Sequence, residues 1–156
     1  MKKNFCLLLF VACIFSLIAG NLAAQIKTTR TQSFNTNWKF FLGDIGSAST
    51  PEFDDAAWRS LNLPHDWSIE LPFDKESPTG TGGGALRGGV GWYRKTFTLP
   101  ASVKDKLIAI TFDGVYRNSE VWINGHLLGK RPYGYSSFQY ELSPYIKYGN
   151  EKNIIA

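Results

Sequence analysis

Val121-Trp122-Ile123-Asn124-Gly125-His126-Leu127-Leu128 (VWINGHLL, 121–128) decides how the rest of the chain is read. Asn-Gly between two apolar runs readily takes the positive φ values of a type I′ turn, whose twist matches two antiparallel strands. The octapeptide predicts a β-hairpin. Outward from it, apolar residues recur with a period of two. Phe138, Tyr140 and Leu142 follow the hairpin; before it, Ile108, Ile110 and Phe112 alternate with Ala109 and Thr111. Further back, Tyr93, Phe97 and Leu99 alternate with Arg94, Thr96 and Thr98, and Trp38, Phe40 and Leu42 with Asn37, Lys39 and Phe41. Each run predicts a half-buried strand.

Helical signals are short. Asp54-Asp55-Ala56-Ala57-Trp58 opens with carboxylates that can cap one turn. Ser143 to Gly149 offers a capping serine, Pro144 at a first helical position and a closing glycine. Without βαβ alternation or internal repeat, the expected class is all-β, an antiparallel β-sandwich. Asn153-Ile154-Ile155-Ala156 begins another apolar run with no turn residue after it. It reads as a strand cut in the middle, so the chain is expected to be a fragment, incomplete at its C-terminus, with an unpaired apolar edge.

At the other end, Lys2 and Lys3, an apolar run from Phe5 to Ala19 and small residues ending at Ala24 read as a secretory signal peptide over residues 1–24. The run is shorter than the ~20 residues of a spanning helix. Residues 25–32 then form a linker and 33–156 a single domain. The expected location is periplasmic or extracellular, with no membrane association after cleavage. Cleavage removes Cys6 and Cys13, the only cysteines, so stability must come from a core. It also leaves 15 basic against 13 acidic residues, a balance that does not suggest nucleic acid.

Most chemical motifs fail on context. Gly80, Gly82 and Ala85 fit a GxGxxA spacing, but Ser77-Pro78-Thr79 precedes them and a strand follows, so no helix N-terminus faces an anion. The glycine cluster 80–91 reads as a flexible loop, and no cofactor is indicated. His65 and His126 alone do not assemble a metal site, and His126, just past the hairpin turn, is expected to face solvent. No pair of carboxylates stands out for glycosidic acid/base work.

The ordered set Phe34-Asn35-x-Asn37-Trp38-Lys39-Phe40, then Phe53-Asp54-Asp55-x-x-Trp58-Arg59-x-Leu61-x-Leu63-Pro64-His65-Asp66-Trp67, then Gly91-Trp92-Tyr93-Arg94-Lys95-Thr96-Phe97, resembles the N-terminal sugar-binding domain of glycoside hydrolase family 2. Phe112-Asp113-Gly114-Val115, the hairpin, Gly134-Tyr135-x-x-Phe138 and Glu141-Leu142-Ser143 continue it in order to the end of the chain. The family includes β-galactosidases, β-glucuronidases and β-mannosidases, whose first domain is a galactose-binding-domain-like jelly roll beside an immunoglobulin-like domain and a (β/α)8 barrel. The resemblance implies a retaining exo-glycosidase of β-galactosidase type as the parent. Its catalytic glutamates would lie in the barrel, outside these residues, so no catalytic residue is assigned here and the chain alone should hydrolyse nothing.

The resemblance also implies a substrate-binding set. Asp66 matches the polar residue before the tryptophan that hydrogen-bonds the innermost sugar, His65 would support it at the rim, and Trp67 is the tryptophan most open to a sugar. Asp66 could equally cap its own turn through the amide of Ser68 or Ile69. Trp38, Trp58, Trp92 and Trp122 are expected in the core, while the loop Arg131-Pro132-Tyr133-Gly134-Tyr135 stays open between packing and ligand contact. The implied partners are a carbohydrate with a terminal β-linked sugar and downstream domains of the same chain. A free-standing carbohydrate-binding module and a sandwich that mediates protein contacts are the alternatives.

Overall fold

The computed structural model describes residues 31–156. The expected signal segment and residues 25–30 of the expected linker lie outside the described residues, and Thr31 and Gln32 carry no regular element. The strands are β1 (Trp38–Leu42), β2 (Arg59–Leu61), β3 (Gly91–Phe97), β4 (Ala109–Phe112), β5 (Ser119–Ile123), β6 (His126–Arg131), β7 (Phe138–Glu141) and β8 (Asn153–Ile155). Among the described residues the helical pieces are single 3-10 turns, at Gly46–Ser49, Ser68–Glu70, Thr81–Gly83 and Ala101–Val103.

The quoted octapeptide folds as its Asn-Gly demands. Asn124 (φ 49°) and Gly125 (φ 82°) form a two-residue turn, with Ile123 paired to His126. A bulge shifts the register, so that Val121 pairs with Gly129 but Trp122 with Leu127. Asn124 does more than turn the chain: its Oδ1 accepts from the Ile154 amide at 2.9 Å, and its Nδ2 donates to Tyr145 O (2.7 Å) and Asn153 Oδ1 (2.9 Å). The fully buried Asn153 also accepts from Lys147 N (2.7 Å) and donates to Lys147 O (2.8 Å). This satisfied amide pair ties the hairpin to β8 and to the 145–147 turn.

All pairings are antiparallel. One sheet has the order β2-β1-β3-β8-β5-β6 and the second pairs β4 with β7. The core lies between them, joining Trp38, Val121, Ile123 and Ile155 of the large sheet to Ile110 and Phe138 of the small one, with Leu142 and Ile146 closing it. Burial of an aliphatic side chain such as Ile123 or Ile155, both 0 % exposed, is worth roughly 1.5–3 kcal/mol. The period-two pattern thus produces the β-sandwich it predicts. The apolar edge expected at the end of the chain is not found at β8, which lies inside the sheet with β3 on one side and β5 on the other.

The expectation of half-buried strands fails on the outer face of the large sheet. Trp92 and Trp122 stack there at 5.2 Å, Phe41 stacks on Trp58 at 5.5 Å, and the segment 45–58 lies over them. Arg94, polar by position in the alternation, is 1 % exposed. Its Nε donates to Asp55 Oδ2 at 2.9 Å, and its terminal nitrogens donate to the carbonyls of Ala48, Thr50 (3.0 Å) and Phe53 (3.3 Å). This guanidinium ties the 45–58 cover to the sheet, beside the packing of Ala48, Phe53 and Trp58 on Trp92 and Trp122. Leu42, placed inward by the same alternation, is 41 % exposed, and its partner on β3 is Gly91, which has no side chain to cover it.

The two helical expectations shrink to turns. Asp54 Oδ1 accepts from Ala56 N (2.9 Å) and Trp58 N donates to Asp55 O (3.0 Å), giving one turn. Ser143 does not cap a helix, because its hydroxyl accepts from the Ile108 amide at 2.9 Å across the small sheet.

Candidate functional site

Arg59–Leu61 pairs with β1 and Leu63 N donates to Asn35 O at 2.7 Å, after which the chain returns over Phe40 of β1 and Tyr93 of β3. That return seats the His65 ring against Phe40 (centroids 4.8 Å apart) and Tyr93 (5.7 Å). His65 is tightly held, with its side chain 10 % exposed. Its Nδ1 lies 2.8 Å from the Tyr93 hydroxyl, and its Nε2 lies 2.8 Å from Arg59 Nη2 and 3.2 Å from Glu70 Oε1. A guanidinium only donates and a carboxylate only accepts. A neutral ring therefore accepts from Arg59 and directs Nδ1–H at the Tyr93 oxygen, whereas a protonated ring donates to Glu70.

Arg59 Nη2 also donates to Glu70 Oε2 at 2.7 Å. That bond holds the Glu70 carboxyl below its usual range, outweighing desolvation, with His65 adding to the effect. Burial pushes the Tyr93 phenol up to about 12, reinforced by the negative charges of Asp66 and Glu70. The phenol is thus a neutral hydrogen-bonding group across the physiological range.

Asp66 is exposed. Its Oδ1 accepts from the Ser68 amide (2.9 Å) and the Ser68 hydroxyl (2.8 Å), which starts the 3-10 turn Ser68–Glu70. The turn-capping alternative is therefore realised by one carboxylate oxygen, while Oδ2 makes no hydrogen bond among the described residues. Trp67 is half-buried over the backbone of residues 89–91: a Cβ on Gly91 would stand 2.8 Å from the indole Nε1 and 3.1 Å from Phe40. Its other side forms a wall of an open, mostly apolar cleft of ≈ 450 Å³, shared with Leu42, Leu71, Pro72, Arg87 and Val90. Of the three site residues expected from sequence, Trp67 alone lines the cleft, with Asp66 and His65 beside it in the chain.

The far wall comes from the glycine cluster, which is not an open tether. Ser77 Oγ and Thr79 Oγ1 donate to Leu86 O at 2.9 and 2.6 Å, Asp74 N donates to Ala85 O at 2.8 Å, and Arg87 pairs with Asp74 at 2.8 Å. Gly80 (φ 54°) and Gly84 (φ 66°) supply the positive-φ backbone that closes the loop on itself, Gly84 in the left-handed conformation. Among the described residues, no group of three or more His, Cys, Asp or Glu side chains is arranged to hold a metal ion. His126 is exposed and stacks on Tyr145 at 4.8 Å.

Arg59, Glu70 and Tyr93 have no place in the expected site, yet they determine how His65 sits. The signal for Tyr93 lies in strand register: Phe40 pairs with Tyr93 across β1 and β3, which puts the phenol beside whatever covers Phe40.

Residues 31–156 match the family description "Glycosyl hydrolases family 2, sugar binding domain". The chain is similar to the β-galactosidase BoGH2A of Bacteroides ovatus, 53 % identical over 138 residues, which covers 88 % of the chain and 16 % of that protein. It is 38 % identical over 128 residues to a β-glucuronidase of Formosa agariphila, covering 81 % of the chain and 13 % of the relative. Among solved structures, a β-glycosidase from Bacteroides vulgatus superposes with a TM-score of 0.74 at 55 % identity, over 78 % of the chain and 16 % of that protein. The chain thus spans 13–16 % of the length of these relatives.

Proposed function

Because this chain belongs to glycoside hydrolase family 2, as its sugar-binding domain, we propose that it is the non-catalytic, jelly-roll first domain of an exported, retaining exo-glycosidase of β-galactosidase type, and that Asp66 lends a carboxylate oxygen to the substrate pocket. The observation that carries this reading is the 53 % identity to a β-galactosidase along 88 % of the chain. The residue pattern of positions 1–24 supports export.

The chemistry at Asp66 is simple. With Oδ1 committed to Ser68, Oδ2 accepts from sugar hydroxyls, and charge-assisted bonds of this kind strengthen when a neighbouring domain excludes water. Trp67 offers an apolar face to the sugar ring beside it. Retaining hydrolysis needs two carboxyl groups about 5–5.5 Å apart, which the downstream domain must supply. The similarity to a β-glucuronidase over 81 % of the chain favours a second reading, in which the terminal sugar is a glucuronide.

Assay of the complete protein with aryl β-galactoside and aryl β-glucuronide separates the two. Turnover of the galactoside is expected, and Asp66→Ala should cost about 1.5–3 kcal/mol in kcat/KM, the size of a hydrogen bond to a charged group. Turnover of neither substrate contradicts the enzyme reading. An unchanged kcat/KM with a lowered Tm would leave Asp66 only its turn.

A further inference from the structure

The β4–β5 and β6–β7 loops carry three large aromatic side chains that stand exposed among the described residues. Tyr116, Tyr133 and Tyr135 are 69 %, 63 % and 77 % exposed. They nevertheless form one cluster, with Tyr135 5.5 Å from Tyr116 and 5.8 Å from Tyr133, the rings inclined at 65° and 63°. The loops beneath them interlock. A Cβ on Gly134 would stand 2.8 Å from Tyr116 Cα, one on Gly114 would stand 3.1 Å from Gly134 O, and Asn118 N donates to Pro132 O at 3.3 Å. The backbone that carries the rings is therefore closely packed before any ligand arrives, which lowers the part of the ordering cost of binding that comes from the loops.

Charge adds a second element. Arg117 lies over the Tyr116 ring at 5.7 Å, and Arg131 rests on Phe138 and Tyr140 at 5.4 and 5.9 Å. Neither guanidinium has a carboxylate within ion-pair distance among the described residues. Both residues are exposed. Inclined phenol rings present apolar faces beside hydroxyl groups, which suits a sugar ring with its C–H face and hydroxyl rim, and planar guanidiniums suit a carboxylate in bidentate contact.

We infer that Tyr116, Tyr133 and Tyr135, flanked by Arg117 and Arg131, form a glycan-binding patch that takes an acid-bearing oligosaccharide chain such as a polyuronate.

Native affinity electrophoresis of the complete protein tests this, with polygalacturonate or neutral galactan in the gel. Retardation needs no turnover, so its outcome is independent of whether the parent protein cleaves a galactoside. Wild type should be retarded by polygalacturonate and not by galactan. Tyr133→Ala/Tyr135→Ala and Arg117→Gln should each weaken the apparent affinity by roughly tenfold or more. Tyr135→Phe, which keeps the ring, should remain within about threefold of wild type. The double tyrosine variant leaves every charge in place, so undiminished retardation in it would mean non-specific attraction and overturn the patch. Absence of retardation by either polymer overturns it too. So does a fall in Tm for the tyrosine variants without a change in retardation, which would assign the rings to packing against protein.

Discussion

Removal of the buried guanidinium at position 94 is the severest test of how the outer face of the large sheet is held. Arg94→Ala strips the partner from the Asp55 carboxylate and from three backbone carbonyls at once. Breaking a buried charge pair from one side costs about 3–5 kcal/mol. Each orphaned carbonyl adds up to about 1 kcal/mol, but only where water cannot replace the lost donor. Here Asp55 is 22 % exposed and Thr50 is exposed, so both rehydrate in part, while Ala48 at 0 % exposure does not. The expected loss is therefore about 3–4 kcal/mol, a large share of the ~5–15 kcal/mol that typically separates a domain from its unfolded chain. Arg94→Lys keeps the charge but not the planar fork, and should recover less than half of that loss. Urea denaturation followed by tryptophan emission is the suitable assay, because Trp58 of the 45–58 segment packs with Trp92 of β3 and reports on the segment's release. A loss below about 1 kcal/mol for Arg94→Ala would refute the latch and shift the burden to the aromatic stacking of Phe41, Trp58, Trp92 and Trp122.

Other perturbations probe the remaining joints. Asn153→Leu takes the partner from the Lys147 amide and carbonyl and removes one of the two acceptors of the Asn124 amide, which keeps Tyr145 O, and should lower stability by about 1–3 kcal/mol in the same denaturation experiment. Gly91→Ala places a methyl group 2.8 Å from the Trp67 indole nitrogen, so it should displace that ring, cost about 1–3 kcal/mol and alter any ligand response that depends on Trp67; an unchanged emission spectrum and Tm would show that the contact relaxes freely. The Tyr93 phenol, raised by burial to about 12 from its ordinary 10.0, favours the folded state while neutral. That contribution is complete below pH ~10 and disappears as the pH climbs toward 12, so Tyr93→Phe should flatten the stability profile over this alkaline window. A profile identical to wild type above pH ~10 would remove Tyr93 as its source.

How far the sequence could be read depended on how local the physics was. The Asn124-Gly125 turn is dictated by two residues and their φ angles, and it was legible at once. The alternation through 108–112 and 138–142 marks strands that face the core on one side, so period and burial agree. It misleads at Arg94, whose cover comes from residues some forty positions earlier, a distance over which periodicity carries no information. The site divides in the same way. Asp66 and its turn follow from the Asp-x-Ser spacing, whereas the clamp on His65 unites Arg59, Glu70 and Tyr93, and the Tyr93 contact requires the pairing of β1 with β3. The glycine cluster read as slack because glycine permits many conformations; the hydrogen bonds of Ser77 and Thr79 to Leu86 select one.

The place of β8 sets a timetable for biosynthesis. It is the seam between β2-β1-β3 and β5-β6, so neither half of the large sheet meets the other until residues Asn153–Ile155 have been made. At ribosomal rates of roughly 5–20 residues per second, the nascent chain carries a finished β3 with one bare flank for roughly 3–12 s before its neighbour exists. From the synthesis of β5 until that of β8, the apolar faces of Trp38 and Val121 have no zipper between them, and a holdase acting on the growing polypeptide would find its substrate there.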